Sequence, residues 1–90
     1  MRFEDKVVIV TGAGSGIGRA TAMLFAQEGA KVIIADFDDR GGRETQRRIC
    51  EAGGEATFVQ TDVRSHVDAD KMARVAIDRY GTVDVLVNNA

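Results

Sequence analysis

The run Thr11-Gly12-Ala13-Gly14-Ser15-Gly16-Ile17-Gly18 follows directly on the apolar stretch Val7-Val8-Ile9-Val10 and reads as a strand that turns through glycines into a helix. Glycines in such a turn admit positive φ and bring bare backbone close to a ligand, while the helix that follows offers unpaired N–H groups and the positive end of its dipole. The chemistry this suits is anion binding, and the anion it fits best is the pyrophosphate of a dinucleotide. The spacing G-x-G-x-x-G, started at Gly12, would need glycine at Ile17 and is not met.

Asp36 is the next side chain that could do chemistry. It lies 18 residues beyond Gly18 at the end of a second apolar run. A carboxylate there can accept from the 2′-hydroxyl of an adenosine ribose and repels a 2′-phosphate, which favours NAD over NADP. A hydrogen bond to a charged group contributes about 1.5–3 kcal/mol, or one to two decades of affinity. The same residue also reads as a strand-end cap for the following turn.

To position these groups the chain must alternate strands and helices, and its periodicity does so in the order β-α-β-α-β-α-β. Lys6 to Val10 is the first strand. Gly16 to Glu28 is the first helix, with Ile17, Ala20, Thr21, Leu24 and Phe25 on one apolar face and Gly29 as its stop. Lys31 to Ala35 is a buried strand, after which Asp38 or Asp39 caps a polar helix reaching Ala52, with Glu44/Arg48 and Arg47/Glu51 at i,i+4 and Gly53-Gly54 at its end. Glu55 to Gln60 is the third strand. Ser65 and Asp68 open a third helix in the manner of a capping box, Ala69, Met72, Ala73, Ala76 and Tyr80 stripe it, Gly81 closes it, and Val83 to Val87 is the fourth strand. Continuous β-branched runs between helices indicate parallel strands buried on both faces, an α/β fold. Thr11 to Gly18, Asp36, Asp62 and Asn88-Asn89 then all follow carboxyl ends of strands, the edge at which open α/β sheets bind ligands.

Composition narrows the function classes. Ninety residues with 44% hydrophobic content make one small soluble domain and leave no room for two. Twelve basic against fourteen acidic side chains provide no basic field, and one tyrosine, four phenylalanines and a single histidine offer neither a stacking platform for nucleic acid nor a metal cluster. Cys50 stands alone, which suits a reducing compartment, with the cytoplasm as the default. The N-terminal apolar run is too short for a signal peptide or a membrane span.

The pattern T-G-x-x-x-G-x-G over Thr11, Gly12, Gly16 and Gly18, with Asp36, Asp62-Val63 and Asn88-Asn89-Ala90 in order and spacing, resembles the short-chain dehydrogenase/reductase family along the whole chain. The resemblance implies a Rossmann-type doubly wound parallel sheet, truncated here, of strand order 3-2-1-4. The right-handed crossover rule then sets the first two helices on one face and the third on the other. It implies NAD as cofactor, with Gly12, Ser15, Gly16, Ile17 and Gly18 at the pyrophosphate and Asp36 at the ribose. Asp62 would accept from the adenine amine with the Val63 N–H on the ring, and Asn88, Asn89 and Ala90 would steady the sheet and line the adenosine side. NADP-binding relatives often carry a basic residue just before the second motif glycine or just after the second strand. Those places hold Ser15 and Phe37 here, although Arg40 is near enough to reach a phosphate.

A complete relative moves hydride between nicotinamide C4 and an alcohol or carbonyl carbon, using a Tyr-x-x-x-Lys pair, a serine and a later asparagine. None of these falls within the 90 residues: Tyr80 is followed four residues later by Asp84, and Lys6, Lys31 and Lys71 fit no such spacing. The expectation is that residues 1–90 form the NAD-binding portion of a longer, homo-oligomeric, cytoplasmic oxidoreductase, with no catalytic residue and no metal ligand of their own. A long apolar fourth strand at an open edge would invite pairing, and a domain this small buries only about 60–68% of its surface. Other readings of the residues remain. Asp62-Val63 is equally a simple turn, and Asn88-Asn89 a local strand terminator. The whole could be a free-standing nucleotide module, a non-catalytic isoform acting through a partner or, against Thr11 and the N-N-A ending, a methyltransferase. Thr11 is expected to bond backbone in the glycine turn, His66 to sit exposed in a first helical turn, and Cys50 to be a half-buried filler.

Overall fold

Four β-branched residues in succession, Val7 to Val10, cannot be covered on one side only, and the chain buries them on both by making them the centre of a sheet. In the computed structural model, which describes residues 2–89, the elements are β1 (Val7–Thr11), α1 (Gly16–Gln27), β2 (Lys31–Asp36), α2 (Asp39–Glu51), β3 (Glu55–Gln60), α3 (His66–Tyr80) and β4 (Val85–Val87). All strand pairs are parallel and the order is β3-β2-β1-β4, as the resemblance implies. Alternation splits the buried residues by face. Val8, Val10, Val32, Ile34 and Ala56 pack with Ala22 of α1 and Ile49 of α2, while Val7, Ile9, Ile33, Ala35 and Val59 pack with Met72 and Ala76 of α3. No helix among the described residues is long and apolar enough to cross a membrane.

Glycines stop the helices where expected. After α1, Gly29 takes φ 92 and donates to Ala26 O while Ala30 donates to Phe25 O, and after α2 Gly53 (φ 90) and Gly54 make the same pair of bonds to Cys50 and Ile49. These are Schellman motifs, which satisfy carbonyls that the helix end would otherwise leave unpaired.

Four details differ from expectation. The apolar stripe assigned to α1 is largely on the outside, with Ile17 78% and Leu24 60% exposed. Gly18 and Ala22 face the sheet, and Met23, Phe25 and Ala26 pack beside them. Small residues at 18 and 22 let the helix lie close to the strands, so side-chain size and not apolar count chooses the face. β4 is shorter than Val83 to Val87: Asp84 still donates its backbone N–H to Val7 O at 2.9 Å, but the Val7 N–H goes to the Asp84 carboxylate, also at 2.9 Å, in place of a strand carbonyl, and the ladder starts at Val85. The edge it leaves is therefore short, although Leu86, in register with Ile9, is 57% exposed. The capping box is half formed. Ser65 Oγ accepts from the Asp68 N–H, but Asp68 reaches back to the Asp62 N–H at 2.8 Å. Finally, Cys50 is exposed, its Sγ directed at the Ala56 carbonyl.

On the outer face of α2, Glu44 pairs with Arg47 at 2.6 Å and Arg48 at 2.8 Å, and Arg47 also holds Glu51 at 2.6 Å. Hydrogen bonds from Arg47 first and Arg48 second bring the Glu44 carboxyl down from 4.5 to about 2. The folded state therefore binds this proton less readily than the unfolded chain. Its contribution to stability is present above pH 4.5 and is lost as pH falls through about 2. Melting temperature measured against pH should accordingly fall less steeply across that window in Glu44→Gln than in the parent, and about 1 M salt should shrink the difference, because these charges are exposed. Identical slopes for both proteins would contradict the pairing.

Candidate functional site

The glycine turn sits between β1 and α1, at the carboxyl edge of the sheet. Gly12 (φ 65) and Gly16 (φ 52) are in the left-handed region, where a side chain would be strained. A Cβ at Gly18 would overlap the Gly12 carbonyl and come within 2.7 Å of Asn89 Nδ2, so α1 can start this close to the turn only without a side chain there. Among the described residues no side chain caps α1: the Ser15 hydroxyl makes no cap bond, and the first turn holds no acidic residue. The N-terminal N–H groups and the positive dipole end are thus left for an anion. Ser15, Gly16 and Ile17 are all exposed.

Asp36 ends β2 with both carboxylate oxygens engaged. Oδ2 accepts the Gly14 N–H at 2.8 Å and Oδ1 the Asp38 N–H at 2.8 Å. The strand-end cap is therefore observed, and it extends to the glycine turn. An ionised carboxylate offers about four acceptor positions, so capacity for a ligand hydroxyl remains. Asp38, at the N-cap position of α2, makes no side-chain cap bond.

Asp36 shares one open cleft of about 230 Å³ with Gly12, Phe37, Thr61, Asp62, Val63 and Arg64. The ends of β1, β2 and β3 converge here. Asp62 does not stand open: Arg64 donates its backbone N–H and Nε to Oδ1 at 3.0 and 3.1 Å and its Nη2 to Oδ2 at 3.1 Å. These bonds, the side-chain ones foremost, hold the Asp62 carboxyl below its usual range, so it is an ionised acceptor at neutral pH.

Asn88 and Asn89 reach the same edge but lie beside the turn and are not walls of this cleft. Thr11 Oγ1 is within hydrogen-bond distance of Asn88 Oδ1 (3.1 Å) and Val87 O (3.3 Å) as donor and accepts the Asn89 N–H at 2.9 Å, while Asn89 Nδ2 donates to Gly12 O at 3.4 Å. Thr11 thus ties β1 to the end of β4, where sequence alone placed its bond within the glycine turn. Ala90 lies outside the described residues. His66 is exposed at the start of α3, and Tyr80 sits at the sheet rim with its hydroxyl 3.0 Å from Thr57 Oγ1.

Sequence reading missed the far wall of the glycine turn. Gly14 is buried and leaves no room for a Cβ, which would stand 2.9 Å from Asp36 Oδ2 and 3.0 Å from the Gly42 nitrogen. Gly41 and Gly42, in the first turn of α2, are likewise buried against the turn and the Phe58 ring. Two adjacent glycines in a helix cost about 1 kcal/mol each relative to alanine, and that cost was the available signal of a packing constraint.

Residues 6–90 match the family model described as short chain dehydrogenase. An uncharacterized oxidoreductase of Thermotoga maritima is 47% identical over 90 residues, which are 100% of this chain and 35% of that protein. The mitochondrial borneol dehydrogenase of Lavandula x intermedia is 44% identical over 89 residues, 99% of this chain and 32% of its own length. The crystal structure of hydroxysteroid dehydrogenase from Escherichia coli superposes with a TM-score of 0.96 at 38% identity, covering 99% of this chain and 38% of that one. The chain spans about a third of the length of the relatives it matches.

Proposed function

From the premise that the chain belongs to the short-chain dehydrogenase family, we propose that it is the cofactor-binding part of an NAD(H)-dependent oxidoreductase acting on an alcohol or carbonyl compound. The observation that carries this reading is the placement of Asp36: one carboxylate both orders the glycine turn through the Gly14 N–H and walls the cleft that Gly12, Asp62 and Val63 also line. The uncapped start of α1, with no room for a Cβ at Gly18, suits a pyrophosphate at Ser15 to Gly18. Asp36 would accept from the adenosine ribose, and its charge would oppose a 2′-phosphate. Asp62 and the Val63 N–H would meet the adenine edge, and Asn88 and Asn89 would support the neighbouring wall.

Bound there, the cofactor supplies a nicotinamide that accepts or gives a hydride. The residues of this chain hold and orient it. The proton has to be handled elsewhere, because the one tyrosine, Tyr80, is engaged with Thr57 and has Asp84 where the family's lysine would stand. We therefore assign residues 1–90 to the NAD-binding portion of a longer domain. The open edge of β4 and the exposed Leu86 favour further strands and helices beside it, and a homo-oligomer once complete. The exposed, unbridged Cys50 fits the reducing cytoplasm.

The test is made on the full-length protein, following NADH absorbance with a panel of secondary alcohols. Turnover that is lost when the tyrosine of a downstream Tyr-x-x-x-Lys is changed to phenylalanine is the expected result. Tight NAD binding with no turnover on any alcohol or carbonyl would instead indicate a nucleotide-binding module.

A further inference from the structure

A loop that aims N–H groups at an anion must turn its carbonyls the other way, and buried carbonyls need donors. In this protein the donors come from two side chains that the cofactor reading does not use. Arg19, in the second turn of α1, donates Nη2 to Gly14 O at 2.6 Å and is 3.3 Å from Gly41 O, and its Nε donates to Thr45 Oγ1 at 2.8 Å. The fully buried Thr45 hydroxyl passes its own hydrogen to Ala13 O at 2.7 Å. The result is a relay, guanidinium to hydroxyl to carbonyl, in which each bond polarises the next.

The first turn of α2 is pressed on the loop so closely that a Cβ at Gly41 would stand 2.5 Å from Gly14 O, which fixes the distance over which Arg19 and Thr45 must act. No carboxylate among the described residues forms an ion pair with Arg19. Meanwhile the Gly14 N–H is taken by Asp36, so the N–H groups directed outward are those from Ser15 onward.

We propose that Arg19, with Thr45, is a positioning residue for phosphate recognition. The pair holds the Ala13 and Gly14 carbonyls inward against α2 and so keeps the N–H groups at the start of α1 facing the pyrophosphate. The proposal rests on the reading of this edge as a dinucleotide site, and its test separates the two. In the full-length protein, calorimetry is run with ADP, which carries the pyrophosphate, and with adenosine, which lacks it. Arg19→Met and Thr45→Val are each expected to weaken ADP about tenfold and to leave adenosine unchanged. Arg19→Lys should restore part of the ADP affinity and Thr45→Ser most of it. Unchanged ADP binding in Arg19→Met, or equal weakening of both ligands, would overturn the positioning role while leaving the site intact. Failure of the unmutated protein to bind either ligand would overturn the dinucleotide reading and this proposal with it.

Discussion

Replacing Gly18 with alanine is expected to lower the melting temperature of the full-length protein by about 6–12 °C and to reduce NAD affinity by more than about a hundredfold. The added methyl group overlaps the Gly12 carbonyl and meets Asn89 Nδ2 at 2.7 Å. The first obstacle is backbone within the turn itself, so relief requires α1 and the turn to separate, which is the juxtaposition that binds the anion. Overpacking against backbone costs about 3 kcal/mol at the upper end of the usual range, and each kcal/mol lowers Tm by about 2–4 °C in a protein of 150–250 residues. Gly16→Ala supplies the control, since Gly16 has φ 52 but nothing within 4 Å of a Cβ. Only the left-handed strain of about 1–2 kcal/mol applies there. Equal losses in the two variants would show that close approach at Gly18 is not what the turn depends on.

Asp36→Ala is expected to weaken NAD by about one to two decades without bringing NADP up to the affinity that the parent shows for NAD. If the carboxylate were only a charge repelling a 2′-phosphate, its removal would raise NADP binding freely. It is also the acceptor for the Gly14 and Asp38 N–H groups, each at 2.8 Å, so its loss loosens the glycine turn for both cofactors. Calorimetric titration of each variant with both dinucleotides reads this directly. A variant that binds NADP as tightly as the parent binds NAD would contradict the coupling of ribose and phosphate positions.

What could be read from sequence was whatever local chemistry decides. Val7 to Val10 and Val32 to Ile34 are strands because β-branched side chains buried on both faces leave no other element. Gly29, Gly53 and Gly81 end helices because each takes positive φ. The order β3-β2-β1-β4 came from family resemblance, since alternating strand and helix signals do not by themselves say which strands are neighbours. Errors arose where a distant partner decides. Ile17 and Leu24 have the right spacing for a core stripe, but the sheet accepts the smaller Gly18 and Ala22. β4 loses its first residues to a bond between Asp84 and Val7, 77 positions apart. Arg19 and Thr45 look like an ordinary helix surface and an ordinary polar helix position until α2 is folded onto the glycine turn. At the site, Gly12, Asp36, Asp62 and Val63 do meet in one cleft, whereas the Arg64 clasp on Asp62 could not be foreseen from residue types alone.

The role of Asp36 is tested most directly by titrating the full-length, unmutated protein with NAD and with NADP at one fixed salt concentration. NAD is expected to bind more tightly than NADP by about tenfold or more, the difference set by one carboxylate at the ribose. Comparable affinities, or no binding of either, would contradict it.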